Sequence, residues 1–164
     1  MSTIETCVIQ ISTIDIIAVM TSIPRSAPIL IKDLQLALDW ASDTSGTDAM
    51  AYVCRSTGRI YMVSTEHEDP DLPADIYDEA KYSVVPSRHD LRLGRRLAVR
   101  FAQQAMPERV DDIYDIFSQR GAYSRFKEMM HQAGKLDDWY AFEDEAVVAA
   151  LREWADAHEL TIAE

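Results

Sequence analysis

The apolar pattern of this chain changes period once and does not change back. Ala51-Tyr52-Val53-Cys54-Arg55 and Arg59-Ile60-Tyr61-Met62-Val63 read as two strands around Ser56-Thr57-Gly58, and Gly58 can take the left-handed conformation that a tight hairpin needs. Beyond Pro86 the apolar residues recur at three- and four-residue spacings as far as His158. Strands and helices are thus segregated along the chain, which predicts an α+β fold. An isolated hairpin is marginal in water, so it must pack on helices or pair with further strands. Residues 6–11 and Tyr82-Ser83-Val84-Val85 are the candidates for such a strand.

The remaining elements follow from the same periodicities. Ile31, Leu34, Leu38 and Ala41 predict an amphipathic helix over residues 30–41, with Lys32, Asp33, Gln35 and Asp39 between them. The helical half predicts four segments, Leu91 to Gln104, Glu108 to Gln119, Ala122 to Ala133 and Asp138 to His158. Pro107 suits a helix start, Gly121 an interhelical break and Gly134 a C-terminal cap. The expected architecture is a small antiparallel, hairpin-based sheet packed against a C-terminal bundle of about four helices, plus one N-terminal helix. Residues 1–28 read as an extension, flexible or forming a short edge strand, with Met20 as an alternative natural start. Residues 29–164 read as one domain, with helix 30–41, hairpin 49–65, acidic loop 66–79 and helical half 88–158. Within the loop, a short helical turn is expected near Asp75 to Glu79.

Charge bounds the partners. Twenty-eight acids against sixteen Lys and Arg give −12, which opposes a general grip on nucleic acid or anionic lipid. The sum hides opposed blocks: residues 66–79 carry −7, residues 88–100 carry +4 and residues 137–164 carry −8. The stretch Ile4 to Met20 is too interrupted for a membrane span and has no basic residue before Arg25, so neither a secretory signal nor a membrane partner is expected. Cys7 and Cys54 match no zinc-ligand spacing and no disulfide framework, which favours a reducing, cytoplasmic setting.

The run Arg120-Gly121-Ala122-Tyr123-Ser124-Arg125-Phe126-Lys127, followed by Trp139-Tyr140-Ala141-Phe142 and Glu153-Trp154, resembles the C-terminal signature of a set of small bacterial proteins grouped as uncharacterised protein family 0158. Tyr52, Thr57-Gly58 and Pro86 fall upstream in the order the resemblance implies. The likeness spans about residues 30 to 160. It departs at Cys54, where an Asp is common, and at Arg59, where a Glu is common, and the family has no assigned activity to carry over.

Three constellations carry chemistry. Arg120, Arg125 and Lys127 lie near an expected helix N-terminus, a place that attracts carboxylate or phosphate; Arg125 is first expected to pair with an acid of a neighbouring helix. Gly121, Tyr123, Phe126, Trp139, Tyr140, Phe142 and Trp154 are read as structural: a turn, then core aromatics. Arg88, Arg92, Arg95 or Arg96, and Arg100 are spaced as one stripe, answered by internal acids, by a protein partner or by nucleic acid, in that order. His67 among Glu66, Glu68 and Asp69 matches no metal-ligand pattern, and His89, His131 and His158 stand in no catalytic arrangement. No catalytic residue, metal ligand or cofactor is therefore assigned. The expectation is a non-enzymatic, cytoplasmic interaction or regulatory module with a protein partner or a second copy as a homodimer. The alternatives are a phosphate- or nucleotide-handling hydrolase, metal-dependent or not, that uses Arg120, Arg125 and Lys127, and a local nucleic-acid contact through residues 88–100.

Overall fold

The computed structural model describes residues 27–164 apart from 44, 47, 67 and 68. The expected strand at 6–11, the alternative start at Met20 and His67 lie outside the described residues. Among those described, the chain runs β1 (Ile29–Leu30), α1 (Ile31–Ala41), β2 (Met50–Cys54), β3 (Ile60–Val63), β4 (Tyr82–Val84), α2 (Arg95–Ala105), a 3-10 turn (Pro107–Arg109), α3 (Val110–Phe117), α4 (Ala122–Gln132), α5 (Leu136–Ala157) and β5 (Ile162–Ala163). This is the α+β class that the segregated pattern predicts.

The hairpin forms where expected, and the candidate at 82–85 supplies the third strand. Strand β2 is central in the order β3-β2-β4, both pairings antiparallel, with Tyr52 opposite Tyr61 and Val84, and Cys54 opposite Tyr82. Side chains alternate across a strand, so the two faces of this sheet have different fates. Ala51 and Val53 join the main core with Leu34 and Leu38 of α1, whereas Tyr52, Cys54 and Tyr61 form a second, smaller cluster. That cluster is closed by Ile76, only 2% exposed, from within the acidic stretch. The stretch is therefore a cover for the sheet as well as a solvated loop. Its carboxylates stay at the rim, Asp71 on Arg59 at 2.7 Å and Asp75 on Lys81 at 2.6 Å. The helical turn expected near Asp75 to Glu79 is replaced by successive turns, with Ile76 N–H bonded to the Pro73 carbonyl and Asp78 N–H to that of Asp75.

Gly58 has φ +71°, and a Cβ there would lie 2.5 Å from the carbonyl oxygen of Ala27. The hairpin turn thus tolerates no side chain because the segment leading into β1 crosses it. Strand β1 pairs in parallel with β5, Ile29 opposite Ile162 and Leu30 opposite Ala163. No periodicity in a two-residue strand announces such a pairing.

In the helical half the expected start at Leu91 moves to Arg95. Ser87 donates from its backbone N–H and its hydroxyl to Asp90 Oδ2, at 3.0 and 2.7 Å, closing a turn. Arg92 then takes φ +57°, and α2 begins after Gly94. A side chain competing for backbone bonds, followed by a left-handed residue, cannot continue a helix. Arg88 and Arg92 consequently leave the helical stripe, and Arg95, Arg96 and Arg100 remain on α2.

Trp139 is the centre of the helical core. Its ring meets Phe126 of α4 at 4.9 Å, Phe101 of α2 at 5.5 Å and Phe142 at 6.4 Å, the first two edge to face. Phe126, Met130 and Trp139 are fully buried. Tyr123 and Tyr140, expected in the core, sit at its rim. Tyr123 packs on Phe117 and donates its hydroxyl to the Leu93 carbonyl at 3.3 Å, and a phenol that must reach a polar partner stays near the surface. Tyr140 is 45% exposed, on the side of α5 away from that knot. Trp154 is half-buried and stacks on His158.

Replacing Gly58 by Ala adds a left-handed penalty of about 1–2 kcal/mol to the backbone clash. The melting temperature of Gly58→Ala is expected to fall by at least about 5 °C, whereas Gly121→Ala, whose φ is +70° in open space, should fall less.

A candidate binding groove between helices α2 and α5

The five arginines of residues 88–100 have three different fates. Arg88 is a clasp: its backbone N–H donates to Ser42 Oγ at 2.8 Å, and its guanidinium reaches Asp39 of α1 at 3.0 Å and Glu143 of α5 at 3.3 Å. Arg95 lies over the ring of Tyr114 at 5.5 Å. Arg92, Arg96 and Arg100 are exposed, form no salt bridge among the described residues, and line one open groove of about 390 Å³. Internal pairing, the first expectation for this stripe, thus holds for Arg88 and not for these three.

Two helices and a turn build the groove. The antiparallel run of α2 against α5 is visible in Gln104 and Ala105 beside Asp138 and Ala141, and in Arg96 and Leu97 beside Ala146 to Glu153, with Arg100 between them 5.2 Å over the Phe142 ring. Moving along the groove from Arg100 toward Arg92 therefore means moving forward along α5, from Ala146 past Ala149 and Ala150 to Glu153. The floor is made by those alanines with Leu91 and Leu97. Small side chains on α5 keep the notch open, and Glu153 is the acid among its lining residues.

Arg120, Arg125 and Lys127 are dispersed by the fold. Arg125 donates to the Gln119 side-chain oxygen, not to a carboxylate, and faces a shallower groove with Arg109, Ser124 and Glu128. Lys127 Nζ lies 5.4 Å over the ring of Tyr140. Arg120 is exposed. Residues two apart on a helix point to different faces, and here Arg125 is drawn to a neutral acceptor and Lys127 to a ring.

One further group stands out chemically. Cys54 is a free thiol buried under the sheet, and burial pushes its ionisation up. Hydrogen bonds from the Ser56 and Thr57 hydroxyls and backbone amides act in the opposite sense and prevail, lowering it to about 7. The signal lay in the hydroxyl residues two and three positions on, inside the hairpin turn. Among the described residues no group of three or more His, Cys, Asp or Glu is placed to hold a metal ion, and no helix is long and apolar enough to cross a membrane.

Comparison with family models, curated proteins and solved structures returned no match, so the groove is described by its own chemistry alone.

Two measurements check these assignments. In a Cys7→Ser background, alkylation of Cys54 should rise with pH to half its plateau at about 7. Ser56→Ala removes a bond that favours the thiolate, so it should move the midpoint upward. Arg88→Ala should lower stability by about 1 kcal/mol, a modest figure because the pair is partly exposed, whereas Arg96→Ala should stay within about 0.5 kcal/mol of the wild type by chemical denaturation.

Proposed function

We propose that the protein is a non-enzymatic interaction or regulatory module that docks an acidic segment of a partner protein in the groove between α2 and α5. The carrying observation is that Arg92, Arg96 and Arg100 face one apolar-floored notch without salt bridges, in a chain whose net charge is −12. Six other cations, Arg59, Lys81, Arg88, Arg109, Lys135 and Arg152, hold carboxylates, and Arg95, Arg125 and Lys127 rest on a ring or a neutral acceptor. Guanidinium groups take carboxylates through paired N–H bonds, and three of them on one groove offer an acidic partner complementary potential. The free Cys54 thiol supports a reducing, cytoplasmic setting. Nucleic acid fits the groove less well, because Glu153 lies in it and the rest of α5 is acidic.

Labelled poly-L-glutamate is the simplest probe. Binding should be salt-sensitive and should be lost when Arg92, Arg96 and Arg100 are replaced by Glu, with the melting temperature preserved. A DNA oligonucleotide of equal charge should bind more weakly. Absence of poly-L-glutamate binding at low salt overturns the proposal. So does a rise of several degrees in melting temperature with phosphate or magnesium-nucleotide that Arg125→Ala abolishes, since that outcome makes the chain a phosphate handler.

A further inference from the structure

Resting on that reading, we infer that the segment taken by the groove is an amphipathic helix with two carboxylates one turn apart, small apolar residues toward the α5 alanines and a cation at the end beside Glu153. Arg96 and Arg100 are four residues apart on α2, so their stems repeat at about 6 Å along the helix axis. Glu or Asp at positions i and i+4 of a docked helix repeat at the same distance and on one face. Each guanidinium can then take one carboxylate through two N–H bonds. Stacking on Phe142 leaves the edge of the Arg100 guanidinium free for this contact.

The walls decide for a helix over an extended strand. Both are helices, whose backbone N–H and C=O groups are already bonded within the helix. An extended peptide laid between them finds no ladder for its own backbone, whereas a helix satisfies its backbone internally. Ala146, Ala149 and Ala150 have side chains short enough for a helix backbone to approach. A bulky apolar residue on the docked face would be held off this floor, so Ala, Ser or Gly is favoured there.

Glu153 sets the direction. It shares its end of the groove with Arg92, while the end at Arg100 and Ala146 has no acid among its lining residues. A Lys or Arg one turn beyond the second carboxylate pairs with Glu153 in one orientation and meets Arg100 in the other. A uniform polyanion gains nothing from this arrangement, since its next charge is placed against a carboxylate.

A second copy of this chain is the competing occupant. Asp111 and Asp115 are exposed one turn apart on α3. The exposed Tyr114 between them is too bulky for an alanine floor, and two chains of −12 repel one another. The chemistry therefore points to a different protein.

The test uses the full chain and capped peptides of about sixteen residues, roughly four turns. The registered peptide carries Glu at i and i+4, Ala between them on the same face and Lys at i+8. A second peptide has the same composition with the Glu spacing broken, and a third carries Glu in place of the Lys at i+8. By fluorescence anisotropy, the registered peptide should bind at least about tenfold more tightly than either control. Arg96→Gln and Arg100→Gln should each remove about that factor without changing the melting temperature. Glu153→Lys should invert the preference between a Lys-ended and a Glu-ended peptide, a response that mere loss of folding cannot produce. Equal binding of all three peptides, with poly-L-glutamate still bound, overturns this inference and leaves the acidic-partner reading standing. A groove that binds neither the peptides nor poly-L-glutamate overturns both. A stable dimer by light scattering that Asp111→Asn with Asp115→Asn dissolves overturns the assignment to a different protein.

Discussion

Trp139 and three further aromatic rings, from three helices in all, meet in the core, and the positions of α2, α4 and α5 depend on that meeting. Edge-to-face contacts fix both the distance and the rotation of each helix, because a ring turned a few tens of degrees would collide with its neighbour. Phe101 is thereby committed to the interior, and helical geometry then sets where Arg96 and Arg100 emerge, on the side of α2 that borders α5. Phe142 serves both purposes: its ring packs on Trp139 on one side and carries the Arg100 guanidinium on the other. The core and the groove share a side chain.

The electrostatics of the chain resolve along similar lines. The acidic stretch before β4 is answered locally by Arg59 and Lys81, cations from its own neighbourhood, rather than by the basic block that follows. That block is divided by the chain's path. Arg88 lies at the head of the turn and is drawn between α1 and α5; Arg92 at its far end, with Arg96 and Arg100 of α2, remains open to the groove. A charge block in a sequence is one object only if the backbone keeps it on one element, and the Ser87 to Gly94 segment does not.

Elements dominated by a single local pattern were legible beforehand: helix 30–41, the hairpin and the helix after Gly121 lie within a residue or two of expectation. What escaped was decided by longer-range effects. Leu91 and Leu93 continue a helical spacing, yet Asp90 bonds backward to Ser87 and ends the possibility, because side-chain competition is invisible to hydrophobic period. Ile76 looks stray among acids and prolines until the sheet face needs a cover. In the candidate site, spacing marks Arg92, Arg96 and Arg100 only together with Arg88 and Arg95, which the fold sends elsewhere, and it gives no sign of the partner wall. Ala146, Ala149 and Ala150 carry no chemical signal and matter only through the room they leave.

The pairing of Ile29 and Leu30 with Ile162 and Ala163 joins the two most distant parts of the described chain by a two-residue ladder. During synthesis β1 waits, without its strand partner, until residue 163 has been made, while the hairpin beneath it and the helices between can already form. The Ala27 to Ile29 segment that crosses Gly58 is therefore a seam whose strand partner comes from the far end of the described chain. A two-residue ladder holds such a seam with few backbone bonds. Its breathing would uncover the hairpin turn, and with it the Cys54 thiol that the turn holds near its ionisation point.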